Sequence, residues 1–364
     1  MYSFKPSEEQ QMLIDAIKRY AMDDLRAAAR EAEEEGHLPA DLVEKGWELG
    51  YLQASTPEAY DGFGERSAVT GALALEELAY GDLAGAMAVM TPALFATPIL
   101  LAGSEAQKKA YIPPVIEMEW KPFTAALMEQ KFDFDPNDLT TTATIEGDTI
   151  VINGEKSYVP YAADAEAMLV YANLNGATQA VIVPKETTGV AIGERQKLLG
   201  LNALPFYTVS FQNVHIPLEN RLGGTEGHDF AQILAASNVA LAAMAIGVSS
   251  AALDYAIEYA KDRDVFGVKV AQKQAIAFMI AEMGTTIEAI RLLVWEAAWM
   301  IDEGKPDSSK QAYLALSGAM DAVMMVTDRA VQILGGHGYI REHPVEMWMR
   351  NGRGFAAFNG LAIV

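Results

Sequence analysis

Cysteine and histidine, two side chains often used in nucleophilic and metal chemistry, are absent or scarce in this sequence. There is no cysteine, which excludes a Cys nucleophile, a disulfide scaffold and a Cys-ligated zinc or iron–sulfur site. No two histidines have the helical spacing that would direct two ligands at one metal ion. The five are His37, His215, His228, His337 and His343. We therefore expect no metal site.

Common motifs of phosphate binding and hydrolysis are absent as well. The sequence has no P-loop and no G-x-S-x-G, and the run Gln-Ile-Leu-Gly-Gly lacks the G-x-G-x-x-G of a dinucleotide fold. Glu129 is a carboxylate that could act as an acid or base. We predict instead that it is a surface loop carboxylate.

Charge and hydropathy limit the function classes further. The chain has 364 residues, 51% of them hydrophobic, and a formal net charge of -22. Such an acidic surface repels nucleic acid and anionic membranes, so we expect neither as a partner. The start of the sequence lacks a signal-peptide pattern. Because Pro92 and Pro98 interrupt the longest apolar run, we predict a cytoplasmic protein without a membrane span.

The predicted secondary structure, which must position any site, changes twice along the chain. Residues 1–118 have helical periodicity, and Ser7 with Gln10 and Ser104 with Gln107 form predicted capping boxes. Residues 119–222 are rich in Thr, Val and Ile at a period of two, with a hairpin around Gly147. Helical periodicity returns in 223–364, over about 229–262, 270–303, 308–335 and 344–354. We predict an α+β protein of three domains with these limits.

Five motifs in this order resemble the acyl-CoA dehydrogenase family over essentially the whole chain. They are LEELAYGDLAGAMAV, INGEKSYV, FQNVHIPLENRLG, RDVFG followed by KQAIAFMIAEM, and QILGGHGYIREHPVEMWMRNGR. The resemblance implies that family's fold: an N-terminal helical domain, a middle antiparallel β domain and a C-terminal four-helix bundle. It also implies FAD bound between subunits and an acyl-CoA substrate. A carboxylate would take the α proton while flavin accepts the β hydride.

In the family, one subunit holds the flavin ring and the substrate, and its neighbour holds the pyrophosphate and adenine end. The resemblance implies that the second, donated half is intact here. Arg263 matches the pyrophosphate-binding arginine, whose guanidinium fork pairs phosphate oxygens. Phe266 matches an aromatic residue at the adenine end. The remaining donated positions are Gln274, Gln332, Gly335 and Gly336. Each of these residues taken singly could also be purely structural.

The receiving half departs from the family pattern. The family's TEPxAGSD-like flavin loop here reads MEQKFDFD, and we expect its bulky residues Lys131, Phe132 and Phe134 to fill space that a flavin needs. Tyr158 and Pro160 replace a Trp and a Thr that face the flavin. Proline has no amide hydrogen to donate.

The catalytic base is also missing. The family's YEGT here reads FNGL, so Asn359 stands where the glutamate base belongs, and Leu361 replaces a Thr. A minority of the family carries its base on the first helix of the last domain, where this chain has Ser237 and Asn238. Neither is acidic, and we therefore assign no catalytic residue to this chain.

These losses lead to three hypotheses. The first is a subunit of a heteromeric FAD-dependent acyl-CoA dehydrogenase, which shares FAD with a homologous partner that binds the acyl-CoA. An electron-transfer flavoprotein would accept the electrons. The second is a self-sufficient flavoprotein acyl-CoA dehydrogenase or enoyl-CoA reductase with a non-standard base. The third is a structural homologue that binds no flavin.

Overall fold

The computed structural model describes residues 6–355 and 358–364. Helices form the first part of the chain. Both predicted capping boxes are present, with Ser7 on Gln10 and Ser104 on Gln107. One π-turn, Ala21–Leu25, joins the first two helices. The helices are α1 (Glu8–Tyr20), α2 (Arg26–Glu35), α3 (Ala40–Trp47), α4 (Tyr51–Ala54), α5 (Ala68–Gly81), α6 (Leu83–Val89), α7 (Ala93–Ala102) and α8 (Glu105–Val115).

A seven-stranded sheet follows, in the order β1-β4-β2-β3-β7-β6, with β5 paired to β4. The predicted hairpin lies at Gly147, between β2 and β3. The strands are β1 (Phe123–Ala126), β2 (Thr142–Glu146), β3 (Thr149–Pro160), β4 (Ala167–Leu174), β5 (Ala177–Pro184), β6 (Val190–Arg195) and β7 (Phe206–Pro217).

The sheet is not wholly antiparallel, and the prediction was wrong in this respect. β1 pairs with β4 in parallel, and Thr142 of β2 pairs with Asn173 of β4 in parallel. Parallel neighbours need a crossover longer than a tight turn. The β2–β3 hairpin and the segment before it provide that length between β1 and β4.

The last part consists of four long or medium helices and one short hairpin. The elements are α9 (Phe230–Asp262), β8 (Asp264–Val265), β9 (Val268–Lys269), α10 (Gln274–Asp302), α11 (Ser308–Leu334) and α12 (Val345–Phe355). The predicted start of the second helix at 270 was wrong by four residues. The β8–β9 hairpin and a 3-10 turn at Val270–Gln272 delay it, because Arg263 and Lys273 have extended backbones. The domain limits at 118 and 222 remain predictions.

Helix α9 is the centre of the molecule. It packs against α5, α10 and α11, and most of its residues are buried. Among the described residues it is the single unbroken helix long and apolar enough to cross a membrane, yet 89% of its most apolar window is buried inside the protein. Core helices of this length have the same composition. Burial therefore accounts for its apolar character.

Candidate cofactor surface and acyl chamber

The six predicted cofactor-binding residues are all exposed on the surface of the isolated chain. Phe266 is the extreme case, with 95% of its side chain accessible. They fall into two groups: one at the β8–β9 hairpin and the start of α10, and one at the end of α11. The residues are Arg263, Phe266, Gln274, Gln332, Gly335 and Gly336.

Tyr259, near the end of α9, connects the two groups. Its carbonyl oxygen accepts a hydrogen bond from the Arg263 amide at 2.9 Å. Its hydroxyl lies 3.4 Å from the carbonyl oxygen of Leu334 and 2.9 Å from Nδ1 of His337. Leu334 and His337 flank the Gly335–Gly336 pair. The fold thus brings residues separated by some 70 positions to one end of the helical bundle.

The chemistry of this surface suits a phosphate-containing aromatic ligand. Within the described residues, the guanidinium of Arg263 makes no ion pair and no hydrogen bond. The ammonium of Lys273 lies 5.5 Å from the ring centre of Phe266. Phe266 sits at the hairpin tip with φ of 56°, a costly conformation for a bulky residue. The exposed ring of Phe266 lies beside the Lys273 ammonium and three residues along the chain from Arg263, so it offers a stacking surface together with groups that can bind phosphate.

The structure contradicts the prediction that Glu129 is a surface loop carboxylate. Glu129 is 4% exposed, and its Oε1 accepts a hydrogen bond from Lys156 Nζ at 2.8 Å. The backbone amides and hydroxyl of Thr140 and Thr141 supply three further hydrogen bonds. Burial alone raises the pKa of Glu129, but Lys156 and these donors outweigh it and hold the pKa at about 2. A carboxylate held this firmly in the ionised form is a poor proton acceptor.

The bulky residues of the flavin-loop segment are placed differently from the prediction. The ring of Phe132 is fully exposed, so this residue does not fill interior space. Phe134 is partly buried against the main core. Lys131 lies within 4 Å of Asp133 and Asp138, in a local ion cluster on the loop. The prediction that these side chains fill a flavin cavity is therefore wrong for Phe132, because the loop directs its ring into solvent.

The two residues that replace the family's Trp and Thr lie at the end of β3. The ring of Tyr158 packs edge-on against Phe358 at 4.7 Å, and Phe358 stacks on Phe206 at 5.7 Å. The Tyr158 amide donates a hydrogen bond to Oε1 of Gln196, at 2.7 Å. Pro160 continues the strand and pairs with Phe206. Aromatic side chains of this chain thus contact one another where the strand ends.

Asn359 follows Phe358 directly, and its backbone N–H faces the Met128 sulfur, with 3.2 Å between nitrogen and sulfur. Its side chain is neutral and cannot accept the α proton as a carboxylate would. Ser237 and Asn238, the other candidate positions for a base, are both buried on α9. No described residue hydrogen-bonds the Ser237 hydroxyl.

Ser237 lines a small cavity between α7, β1 and α9. The cavity measures about 20 Å³, which holds roughly one water molecule. Its walls are apolar except for Ser237 and Tyr171. They also include Leu94, Pro98, Ala125, Leu127, Phe230, Ile233, Leu234, Gly360, Ala362 and Ile363. The space does not admit an acyl chain.

The sequence matches three domain families of one enzyme family in the expected order. Residues 7–119 match the acyl-CoA dehydrogenase N-terminal domain, 124–214 the middle domain and 228–362 the C-terminal domain. The rat mitochondrial short-chain specific acyl-CoA dehydrogenase is 34% identical over 95% of this chain and 85% of its own length. This chain belongs to the acyl-CoA dehydrogenase family.

Further acyl-CoA dehydrogenase relatives share the fold over the whole chain. The caffeyl-CoA reductase-Etf complex subunit CarC of Acetobacterium woodii is 32% identical over 98% of this chain and 96% of its own length. Butyryl-CoA dehydrogenase from Megasphaera elsdenii superposes with a TM-score of 0.88 at 32% identity, covering 97% of this chain and 95% of its own. A chain from the structural study of the electron transferring flavoprotein of Acidaminococcus fermentans superposes with a TM-score of 0.89 at 32% identity. The match covers 98% of this chain and 95% of that chain.

Acyl-CoA dehydrogenases are FAD-dependent oxidoreductases, and the predicted three-domain fold is confirmed. Sequence reasoning missed two residues that organise the sites. Lys156 lies within the INGEKSYV motif but received no role, and Tyr259 received none either. For Lys156 the signal was weak: in strict alternation it falls in the same series as Ile150 and Ile152 of β3, and a lysine on that buried face needs a partner. For Tyr259 we find no comparable signal in the sequence.

Among the described residues, no group of three or more His, Asp or Glu side chains could hold a metal ion. The roles of the six surface residues stay predictions.

Proposed function

We propose that this chain is a subunit of a heteromeric FAD-dependent acyl-CoA dehydrogenase, which contributes the adenine and pyrophosphate half of a partner's FAD site. The proposal is supported by a contrast between an exposed surface at one end of the bundle and the chain's own base position. Arg263, Phe266 and the glycine pair form an exposed surface of suitable chemistry at one end of the bundle. The chain's own base position carries Asn359, and the cavity near it is about 20 Å³.

The donated surface suits FAD held by a second chain. Arg263 would pair with the pyrophosphate, while Phe266 would stack at the adenine end. Gly335 and Gly336 would let the cofactor approach the backbone, since a Cβ added at either position meets no atom within 4 Å. When bound, FAD supplies the hydride acceptor for acyl-CoA dehydrogenation. The base and the substrate would belong to the partner.

The partner would be a homologous acyl-CoA dehydrogenase subunit that retains the YEGT glutamate. Two relatives support electron-transfer flavoprotein as the acceptor: CarC belongs to a reductase–Etf complex, and the Acidaminococcus chain comes from a study of such a flavoprotein. We propose that electrons leave the partner's flavin by that route. The alternatives remain a self-sufficient flavoenzyme and a homologue without flavin.

The test is the flavin absorbance of the chain purified alone, compared with the chain co-expressed with a homologous subunit that retains the base. We expect the lone chain to be colourless and the complex to hold one flavin for each pair of unlike chains. Arg263→Ala should remove most of the flavin without dissociating the subunits. The control is Lys261→Ala, because Lys261 is exposed at the same helix end and, among the described residues, its ammonium pairs with Glu258 alone.

Other outcomes identify the alternatives. One flavin per chain in the lone protein would establish the self-sufficient enzyme. A stable complex whose flavin content is the same in Arg263→Ala and Lys261→Ala would contradict the proposed role of Arg263. A chain that binds neither flavin nor any homologous subunit would be the structural homologue.

A further inference from the structure

The segment that connects α11 to α12, residues 335–344, lies mostly in solvent. Gly335 and Gly336 are exposed, and so are residues 339–342. A Cβ added at either glycine meets no atom within 4 Å beyond its chain neighbours, so packing around the pair does not hold it in place. Gly335 has φ of 60° and ψ of -129°, a conformation that favours glycine. Other groups must therefore fix the shape of this part of the proposed cofactor surface.

Besides Gly338, which is buried, two half-buried histidines attach this segment to tyrosines of α9. Nδ1 of His337 lies 2.9 Å from the Tyr259 hydroxyl, and Nδ1 of His343 lies 2.8 Å from the Tyr255 hydroxyl. The two imidazole rings are stacked, with their centres 5.3 Å apart and their planes 14° apart. Residues four apart lie on one face of a helix, roughly 6 Å apart along its axis, which matches the spacing of the stack. We call these four side chains the Tyr–His ladder.

The two pairs of the Tyr–His ladder hold different parts of the fold. The Tyr259 hydroxyl also lies 3.4 Å from the carbonyl oxygen of Leu334, so the first pair contacts the chain on both sides of the two exposed glycines. In the second pair, the ring of Tyr255 packs edge-on against Trp348 of α12, with 5.8 Å between the ring centres. The first pair therefore holds the glycines, and the second holds the start of α12.

We propose that Tyr259 and His337 are positioning residues of the donated cofactor surface, which fix the two exposed glycines relative to Arg263. The inference rests on the proposed function and deepens it. The Tyr259 hydroxyl reaches the glycine segment, while its carbonyl oxygen accepts the Arg263 amide at 2.9 Å. One residue of α9 thus sets the distance between the cation that pairs with phosphate and the backbone that the ligand approaches. Neither side chain needs to contact the ligand for this role.

The first test needs no flavin and uses the chain alone. Hydrogen–deuterium exchange of residues 333–339 measures how firmly the glycine segment is held. Tyr259→Phe keeps the ring and removes the hydroxyl, and we expect exchange at least about threefold faster there, the effect of one lost hydrogen bond. Tyr255→Phe, one turn away on α9, is the matched control and should leave 333–339 at the native rate. Native exchange in Tyr259→Phe, or equal acceleration in both variants, would overturn the positioning role.

The second test measures FAD binding by the complex with the homologous subunit that retains the base. We expect Tyr259→Phe to raise the Kd for FAD at least about threefold and Tyr255→Phe to leave it unchanged. Arg263→Ala separates this inference from the proposed function. Unchanged FAD binding in both Arg263→Ala and Tyr259→Phe would overturn the proposed function together with this inference. Weaker binding in Arg263→Ala alone would overturn only the positioning role.

A conservative variant separates the hydrogen bond from general packing. An asparagine amide offers both an acceptor and donors near the place of Nδ1, whereas leucine offers neither. His337→Asn should therefore keep the Kd for FAD within about twofold of the native value, and His337→Leu should lose as much as Tyr259→Phe. Equal losses in the two His337 variants would overturn the proposal, because the bond to Tyr259 would then contribute nothing. Similar melting temperatures for Tyr255→Phe and Tyr259→Phe would show that lost stability does not cause the difference between them.

Discussion

At the scale of single residues, the pair formed by Glu129 and Lys156 defines the region where the family places its flavin loop. Lys156 is completely buried, and its Nζ also donates a hydrogen bond to the Leu127 carbonyl oxygen at 3.0 Å. Every polar atom of the pair thus has partners. Leaving one charge buried without the other costs several kcal/mol, about 3–5 in comparable proteins. The pair therefore holds β3 against the segment after β1.

Glu129→Gln should lower the free energy of unfolding by about 3–5 kcal/mol, measured by urea denaturation. The control is Glu258→Gln in the exposed pair with Lys261, which should cost no more than about 1 kcal/mol. The loss should also depend on pH. Because the folded pKa of Glu129 is about 2, below its ordinary 4.5, the stabilisation is present above pH 4.5 and disappears as the pH falls toward 2. The native and variant curves should therefore converge in acid; equal losses in both variants would contradict the buried pair.

At the scale of elements, Gln107 joins α8 to the exit of the β-sheet. Its Oε1 accepts hydrogen bonds from the amides of Ser104 and Gly223, at 3.0 and 3.1 Å. Its Nε2 donates to the carbonyl oxygens of Glu219 and Arg221, both at 2.7 Å. The sequence predicted only the capping contact with Ser104. The other three bonds connect elements more than a hundred residues apart.

Gln107→Ala should destabilise the protein by about 2–4 kcal/mol, because it leaves several backbone groups without a partner at a buried site. The control is Gln11→Ala. Gln11 is exposed, and among the described residues its side-chain amide hydrogen-bonds Asp15 alone, so the loss there should stay within about 0.5 kcal/mol. Both values come from urea midpoints at a common m-value. A cost for Gln107→Ala as small as for Gln11→Ala would show that water replaces the missing contacts.

At the scale of the whole molecule, helices α10 and α11 expose five large apolar side chains, which a contact with another subunit would cover. The exposed fractions are 58% for Phe278, 49% for Leu292, 40% for Trp299, 65% for Tyr313 and 47% for Leu314. A subunit that completes a partner's cofactor site needs such a contact surface. We expect these side chains to be buried in the assembled complex.

Leu292→Glu combined with Leu314→Glu should weaken assembly with the partner subunit by at least about tenfold, since two charges would be buried without partners. Sedimentation velocity over a concentration series measures the change. Met12→Glu on α1, where the methionine is 74% exposed, is the control and should leave the assembly intact. An unchanged complex in the double variant would place the interface elsewhere on the surface.

The sequence alone predicted much of the fold. The three-part order of elements, both capping boxes and the β2–β3 hairpin followed from periodicity and local turn chemistry, which act between residues close along the chain. The resemblance to the family likewise depended on residue identity at fixed spacing. The same spacing showed that Asn359 stands at the position of the family's glutamate base. The parallel pairing of β1 with β4 did not follow, because strand order depends on contacts between distant segments.

The sequence by itself thus determined the family, the helices and strands, and which chemical groups the chain possesses. The tertiary structure decided where those groups lie. It buried Glu129 against Lys156, which is 27 residues away, and left the ring of Phe132 in solvent. It also placed Gly360, Ala362 and Ile363 on the wall of the small cavity beside Ser237. Packing and desolvation set these positions, and both depend on neighbours that only the folded chain brings together.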